Sequence, residues 1–314
     1  NSEQMSIKKH LELVKPDYFY KRLPYRLYRK DVGSGRFYYQ IVGGKIEHFI
    51  SITNVCDKLL PKGIEFYKWV MKNGGEAETI RDAAAAYGTA YHVCCSMKVK
   101  QGGFDFDWLS RITKGKTNFE NMLGDYAHMA PRWIEGFKKG LTCFFQFLEE
   151  KVTEIYAIEL PIRSHFGYTA TLDMVCELTF GGRSVVAAVD FKSMILEPGS
   201  TKKKEFHDGH EFQLEGQKFA WNENFSELPI THVFNFAPTN FKGEVPTYEL
   251  RNQTNNKFSR DIITQYGPIN LFVVKMLEAK AMGYLNKPSS KFSFIQGKFE
   301  GNFDASKHII QYQL

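Results

Sequence analysis

The stretch Ser184–Ser193, SVVAAVDFKS, constrains the fold more than any other part of the chain. A half-exposed strand alternates apolar and polar residues, whereas a nearly continuous apolar run closed by charge suits a central strand buried on both faces. Asp190 and Lys192 are two apart, so in a strand their side chains leave the same face at its end. A lone D-x-K is most often an ordinary solvated strand end, so its weight depends on what else the chain brings to that place.

Around this strand the pattern is helices, three strands, a helix, a strand, and helices. SITNVCDKLL opens a helical region at a Ser/Thr start, which continues through IEFYKWVMKN and, past Gly74 and Gly75, through EAETIRDAAAAYGTAYHVCCSMKV. A further helix is expected from Tyr126 to Lys151. TEIYAIELPIRS and GYTATLDMVCELTF then alternate with period two around a turn at Ser164 to Gly167. After the polar loop EPGSTKKKEFHDG, Asp208 with Glu211 three residues later marks a helix start, PITHVFNFAP reads as a buried strand, and FSRDIITQYGPINLFVVKMLEAKAMGYL as a closing helical region. The first fifty residues, aromatic, basic and broken by Gly33, Gly35, Gly43 and Gly44, read as short strands and turns. The fold class expected is α/β, a central mixed sheet flanked by helices.

The 314 residues can bury a full core, and 43% hydrophobic with 24% charged residues excludes a disordered chain. No run reaches the roughly 18 apolar residues of a membrane span, and NSEQMSIKKHLELV lacks a signal peptide's apolar stretch. The expectation is a cytoplasmic protein without a membrane partner. Cys56, Cys94, Cys95, Cys143 and Cys176 form no CxxC pair and no zinc spacing, so they read as core thiols. A net charge of +6 suits a polyanionic partner without requiring one.

Three further features add to the D-x-K strand. Asp173 interrupts the apolar strand TATLDMV, on the face expected to lie opposite Leu172, Met174 and Cys176. Two neighbouring strands each delivering an acid invite a shared divalent cation, since Mg²⁺ is held by one or two carboxylates plus phosphate oxygens. His92 lies four residues after Gly88, so both share a helix face that the missing side chain lets approach a sheet. In EFQLEGQKFAWNE, Gln213, Gly216, Gln217 and Ala220 form a small amide-bearing stripe. Taken singly, each has an ordinary reading: a strand-end acid, a core histidine, a solvated helix face.

In this order the pieces resemble the RecB-like nucleases of the PD-(D/E)XK superfamily, which run GTxxH, a Glu-bearing strand, GxxD, (D/E)xK and QxxxY. Here they are Gly88-Thr89-Ala90-Tyr91-His92, Glu159 in AIELP, Ala170-Thr171-Leu172-Asp173, Asp190-Phe191-Lys192, and Gln213 to Gln217. The segment ISITNVCDKLLPKGIEFYKWV is more loosely similar to the region before the motif His in phage exonucleases and the mitochondrial genome maintenance exonuclease, which favours an exonuclease. The pattern departs at Ala170 for Gly, at Gln217 for the aromatic, and at Cys94, Cys95 and Ser96, where an acid is common.

The resemblance implies a PD-(D/E)XK core over residues 51–240, with a β-rich extension at 1–50 and a helical extension at 241–314. It implies a Mg²⁺- or Mn²⁺-dependent DNA nuclease of replication, recombination or repair, host-cytoplasmic if phage-encoded. His92, Asp173, Asp190 and the Phe191 carbonyl would hold the metal, Glu159 would reach a second metal or its water, and Lys192 and Gln213 would serve the reaction. No iron-sulfur cluster is expected. Single-stranded or duplex DNA ends would be tracked by Lys202, Lys203, Lys204, Thr89, Tyr91 and Gln217, whereas His207 and His210, at a helix start, read as loop residues. Two alternatives stand: a catalytically silent DNA-binding or assembly protein on the same fold, and an RNA-directed nuclease.

Overall fold

In the computed structural model of the chain, the described residues are 12–13, 17–18, 20–32, 35–59, 63–197, 199–201, 203–206, 208–240, 242 and 245–254. The chain opens with strands β1 (Glu12–Leu13), β2 (Asp17–Tyr18), β3 (Tyr28–Val32), β4 (Gly35–Val42) and β5 (Lys45–Ser51). Helices α1 (Ile52–Leu59), α2 (Ile64–Asn73) and α3 (Ala77–Gln101) follow. A small insertion holds α4 (Asp107–Ser110), the hairpin β6 (Ile112–Thr113) and β7 (Lys116–Thr117), and α5 (Asn118–Leu123). Then come α6 (Ala130–Lys151), β8 (Val152–Arg163), β9 (Tyr168–Phe180), β10 (Arg183–Phe191), α7 (Asp208–Asn224), β11 (His232–Thr239) and β12 (Thr247–Asn252).

All of these strands except the β6–β7 hairpin form one mixed sheet. β8, β9 and β10 run antiparallel in sequence, β11 lies parallel to β10 after the α7 crossover, and β12 returns antiparallel to β11. β10 is a central strand with a helical layer on each face. Ala187, Val189 and Phe191 enter the core under α3 and α6, and Ala188 enters the core under α1 and α7. The apolar run is thereby explained: both faces of the strand are interior. All five cysteines are buried thiols in these two cores.

One feature of the sheet positions the site. β8 follows one edge of β9 from Leu178 to Thr169, so β5, pairing at Tyr168 and Thr169, and β10, pairing from Met174 to Phe180, must share the other edge. β5 and β10 part between Thr169 and Met174. Asp173 lies at this opening.

The strands expected in the first fifty residues are present, and β3, β4 and β5 join the sheet of the central strands through β5 and β9. Two expectations change. The Tyr126–Lys151 helix begins at Ala130, after a 3-10 stretch Gly124–Met129, with Pro131 in its first turn where the missing N–H costs nothing. Within the expected C-terminal helical extension, β12 is a strand on the sheet, and the closing helical region at 258–285 lies outside the described residues. Among the described residues no helix is long and apolar enough to cross a membrane.

The segment after β10 is clamped against α6. A Cβ at Gly136 would stand 2.7 Å from the Leu196 carbonyl oxygen, a backbone atom that cannot swing aside. Gly136→Ala is therefore expected to lower stability by about 2 kcal/mol despite the better helix propensity of alanine. Gly140→Ala on the same helix meets only Tyr91 Cε2 at 3.4 Å and Pro238 Cγ at 3.7 Å, and should stay within about 1 kcal/mol of the parent. Urea denaturation of the two variants checks the contrast.

Candidate metal centre

The site begins with a matched irregularity on β8 and β9. Ala157 and Leu160 enter the α1/α7 core while Ile158 enters the α3/α6 core, so the alternation slips between Ile158 and Leu160. On β9, Leu172 belongs to the α1/α7 core and Met174 to the α3/α6 core, a slip at the same level. The two strands keep their register through it, Ile158 opposite Met174 and Leu160 opposite Leu172. Glu159 and Asp173 occupy the slip. Glu159 takes a φ of +48°, the left-handed region, which for a residue with a Cβ costs about 1 to 2 kcal/mol. The expectation that Asp173 lies opposite both Leu172 and Met174 is thus corrected: those two leave the strand on different faces.

The slip turns both carboxylates toward α3, where His92 meets them. His92 Nδ1 is 3.0 Å from Glu159 Oε1 and 3.6 Å from Asp173 Oδ1, and its Nε2 is 3.0 Å from the Phe191 carbonyl oxygen. Acceptors therefore face both ring nitrogens, an arrangement that suits a doubly protonated imidazolium. Burial opposes that charge, but the Asp173 carboxylate and the Glu159 hydrogen bond outweigh it and push His92 up to about 9. Asp173 is raised to about 7, chiefly by burial, with Asp190 and Glu159 adding to the effect and His92 working against it. Its Oδ2 accepts from the Phe191 backbone N–H at 2.7 Å, where the β9–β10 ladder ends. One ligand atom each from His92, Glu159 and Asp173 lies within 4.8 Å of the others, so the three could hold a metal ion.

Asp190 stands outside that trio. Val189 and Phe191 face α3 and α6, so Asp190 between them turns to the α7 side, where it is 1% exposed. Lys192 Nζ lies 2.8 Å from its Oδ2, Asn235 Nδ2 donates to the same oxygen at 2.7 Å, and Gln213 Nε2 donates to Oδ1 at 3.0 Å. Lys192 also donates to Gln213 Oε1 at 3.5 Å. The two groups remain electrostatic neighbours, since the charge of Asp190 acts on His92 and Asp173, and that of Lys192 on Asp173.

The remaining expected residues divide. Gly88 does face a close neighbour: a Cβ there would lie 3.2 Å from Ser193 Oγ. The amide stripe of α7 is its buried face, where Gly216 O accepts from Tyr168 Oη and Gln217, 1% exposed, donates to the Thr171 carbonyl. Gln217 and Tyr91 are accordingly corrected from substrate contacts to interior residues, Tyr91 being buried with its hydroxyl on the Gly140 carbonyl. Thr89 is exposed and bonds its own helix at Ala85 O. Lys203 is exposed, and Lys204 donates to Ser193 O at 3.3 Å. His210 packs edge-on against Phe206. Lys202 and His207 lie outside the described residues, as does the side chain of Asp208. The residue missed altogether is Asn235, although a lone amide amid Phe234 and Phe236 was a visible signal.

No protein-family model matches the chain, and no curated protein matches its sequence.

The charge balance of the centre has a sign that can be tested. His92 and Asp173 both hold a proton in the folded chain at pH values where the unfolded chain has lost it, so stability falls as pH rises. The His92 contribution is complete below 6.5 and lost as pH passes about 9, and the Asp173 contribution is complete below 3.8 and lost as pH passes about 7. In EDTA, the urea midpoint should decline steadily from about pH 6 to about pH 9.5, and Asp173→Asn should make the decline shallower. A midpoint that rises over this range contradicts the arrangement.

Proposed function

We propose that the protein is a divalent-cation-dependent nuclease with a PD-(D/E)XK-type core, hydrolysing phosphodiester bonds in DNA as an exonuclease. The observation that carries the reading is the meeting of His92, Glu159 and Asp173 at the opening beside β10, with Asp190 and Lys192 at the end of that strand. The donor set fits a cation. An imidazole, two carboxylates and the Phe191 carbonyl form a mainly oxygen set suited to Mn²⁺ or Mg²⁺, and a bound cation would offset both the burial of Asp173, which chiefly raises its pKa, and the smaller repulsion from Asp190 and Glu159.

His92, Glu159, Asp173 and the Phe191 carbonyl would hold the ion, which when bound neutralises charge on the scissile phosphate. Lys192 supplies a fixed ammonium. Its Asp190 and Gln213 partners aim it, so that its remaining protons can orient the attacking water and offset charge developing on the phosphate. Water replaces the 3′ oxygen at phosphorus, leaving a 5′-phosphate on the released product. Lys203 and Lys204, following closely on this strand, suit the polyanionic backbone of the substrate.

A second reading has its own observation. Asp190 is already engaged by three donors on the face away from His92, which suits a catalytically silent nucleic-acid-binding protein. A time course on end-labelled single-stranded, duplex and circular DNA, with matched RNA, in Mg²⁺, Mn²⁺ or EDTA separates the readings. The nuclease reading expects linear DNA to be digested only with the cation and circles to survive. Lys192→Ala and Asp173→Ala should each lower cleavage by about a hundredfold to a thousandfold while salt-sensitive DNA binding persists. Binding without hydrolysis in any divalent ion would establish the silent reading, and faster RNA cleavage an RNA-directed enzyme.

A further inference from the structure

The hydrogen bonds around Asp190 continue past the groups so far assigned a role. Asn235, on β11 and fully buried, donates to Asp190 Oδ2, and its own Oδ1 accepts from Gln253 Nε2 at 3.0 Å. Gln253, just after β12, is anchored by its backbone N–H on the Val233 carbonyl at 2.9 Å. The Asn235 NH₂ faces Asp190, which also takes donors from Lys192 and Gln213, and its carbonyl is left for Gln253. The orientation of the amide is thereby determined from both ends. A side-chain amide buried this fully is costly unless so satisfied.

We infer that Asn235, held in turn by Gln253, is a positioning residue for Asp190 and Lys192 in the cleavage reaction; the inference rests on the nuclease reading above. Asp190 Oδ2 takes both Asn235 and Lys192, and Oδ1 takes Gln213. Sharing Oδ2 with an amide weakens the hold of the carboxylate on the ammonium, so Lys192 keeps protons to direct at water and phosphate. Without Asn235, Asp190 loses one of its three fixing contacts, and the carboxylate that aims Lys192 is free to turn.

The test uses the full chain and three variants. Asn235→Leu removes both hydrogen bonds, Gln253→Leu only the outer one. Asn235→Asp keeps shape and the acceptor for Gln253 but sets a second carboxyl against Asp190. Position 235 is faced by Asp190 on β10, Gln253 after β12 and, directly across the β11–β12 ladder, Arg251, with Lys192 and Gln213 one contact further away on Asp190. Mn²⁺ binding is read from the loss of the free-ion electron paramagnetic resonance signal, and cleavage as separate kcat and KM values. Asn235→Leu should lower kcat about tenfold to a hundredfold, with KM for DNA and Mn²⁺ affinity each within about twofold of the parent, and Gln253→Leu should follow by a smaller factor.

The activity of Asn235→Asp relative to the parent should climb as pH falls from about 8 to about 6, because a protonated carboxyl restores the missing donor. A purely structural role gives a flat ratio. If Asn235→Leu fails to fold, the other two variants decide. Parental kcat in the variants, or a flat ratio, would overturn the inference and leave the nuclease reading standing. A parent chain without cation-dependent cleavage overturns the nuclease reading and, with it, the positioning role in cleavage.

Discussion

The rest of the site depends on a simultaneous change of face in two paired strands. Where Glu159 and Asp173 sit opposite one another, β8 and β9 each exchange the helical layer to which their side chains point, and they do so without losing register. A slip in one strand alone would break the ladder and throw one apolar set into the wrong core. The matched slip avoids this at the cost of one left-handed backbone at Glu159. It delivers two acids to a helix that an unbroken alternation would have denied at least one of them.

Phe191 joins that arrangement to the interior. Its N–H is taken by Asp173 and its carbonyl faces His92, while its ring packs against Phe144 in the α3/α6 core. One residue thus fixes the acid, the imidazole and the packing at once. The Asp190 group, on the other side of the same strand end, is held by side chains from α7 and β11. The sheet therefore separates the centre into two halves that feel each other through charge more than through contact.

Much of this was legible in the sequence, for identifiable reasons. β8 to β11, α3 and α7 are long and periodic, and a continuous apolar run such as SVVAAV has few places to go but the middle of a sheet. His92, Asp173, Asp190, Lys192 and Gln213 stood out because each breaks an apolar or small-residue pattern. The slip at Glu159 and Asp173 left no such trace. Period-two reasoning assumes an unbroken pleat, and it gave Leu172 and Met174 one face when they have two. The same limit hid the burial of Tyr91 and Gln217, whose polar tips satisfy backbone carbonyls inside the protein. β12 was missed because TYELRN carries too few apolar residues to announce itself.

The parallel pairing of β10 with β11 carries a kinetic implication. Parallel neighbours cannot be joined by a tight turn, so Asp190 waits through the whole α7 crossover for Asn235, and Asn235 through β12 for Gln253. During synthesis from the N-terminus, the Asp190 carboxylate emerges long before its last donor does. Contacts so distant along the chain form slowly. The nascent polypeptide must then carry an interior acid with its hydrogen bonds incomplete, and the ordering of this strand end should be among the late events of folding.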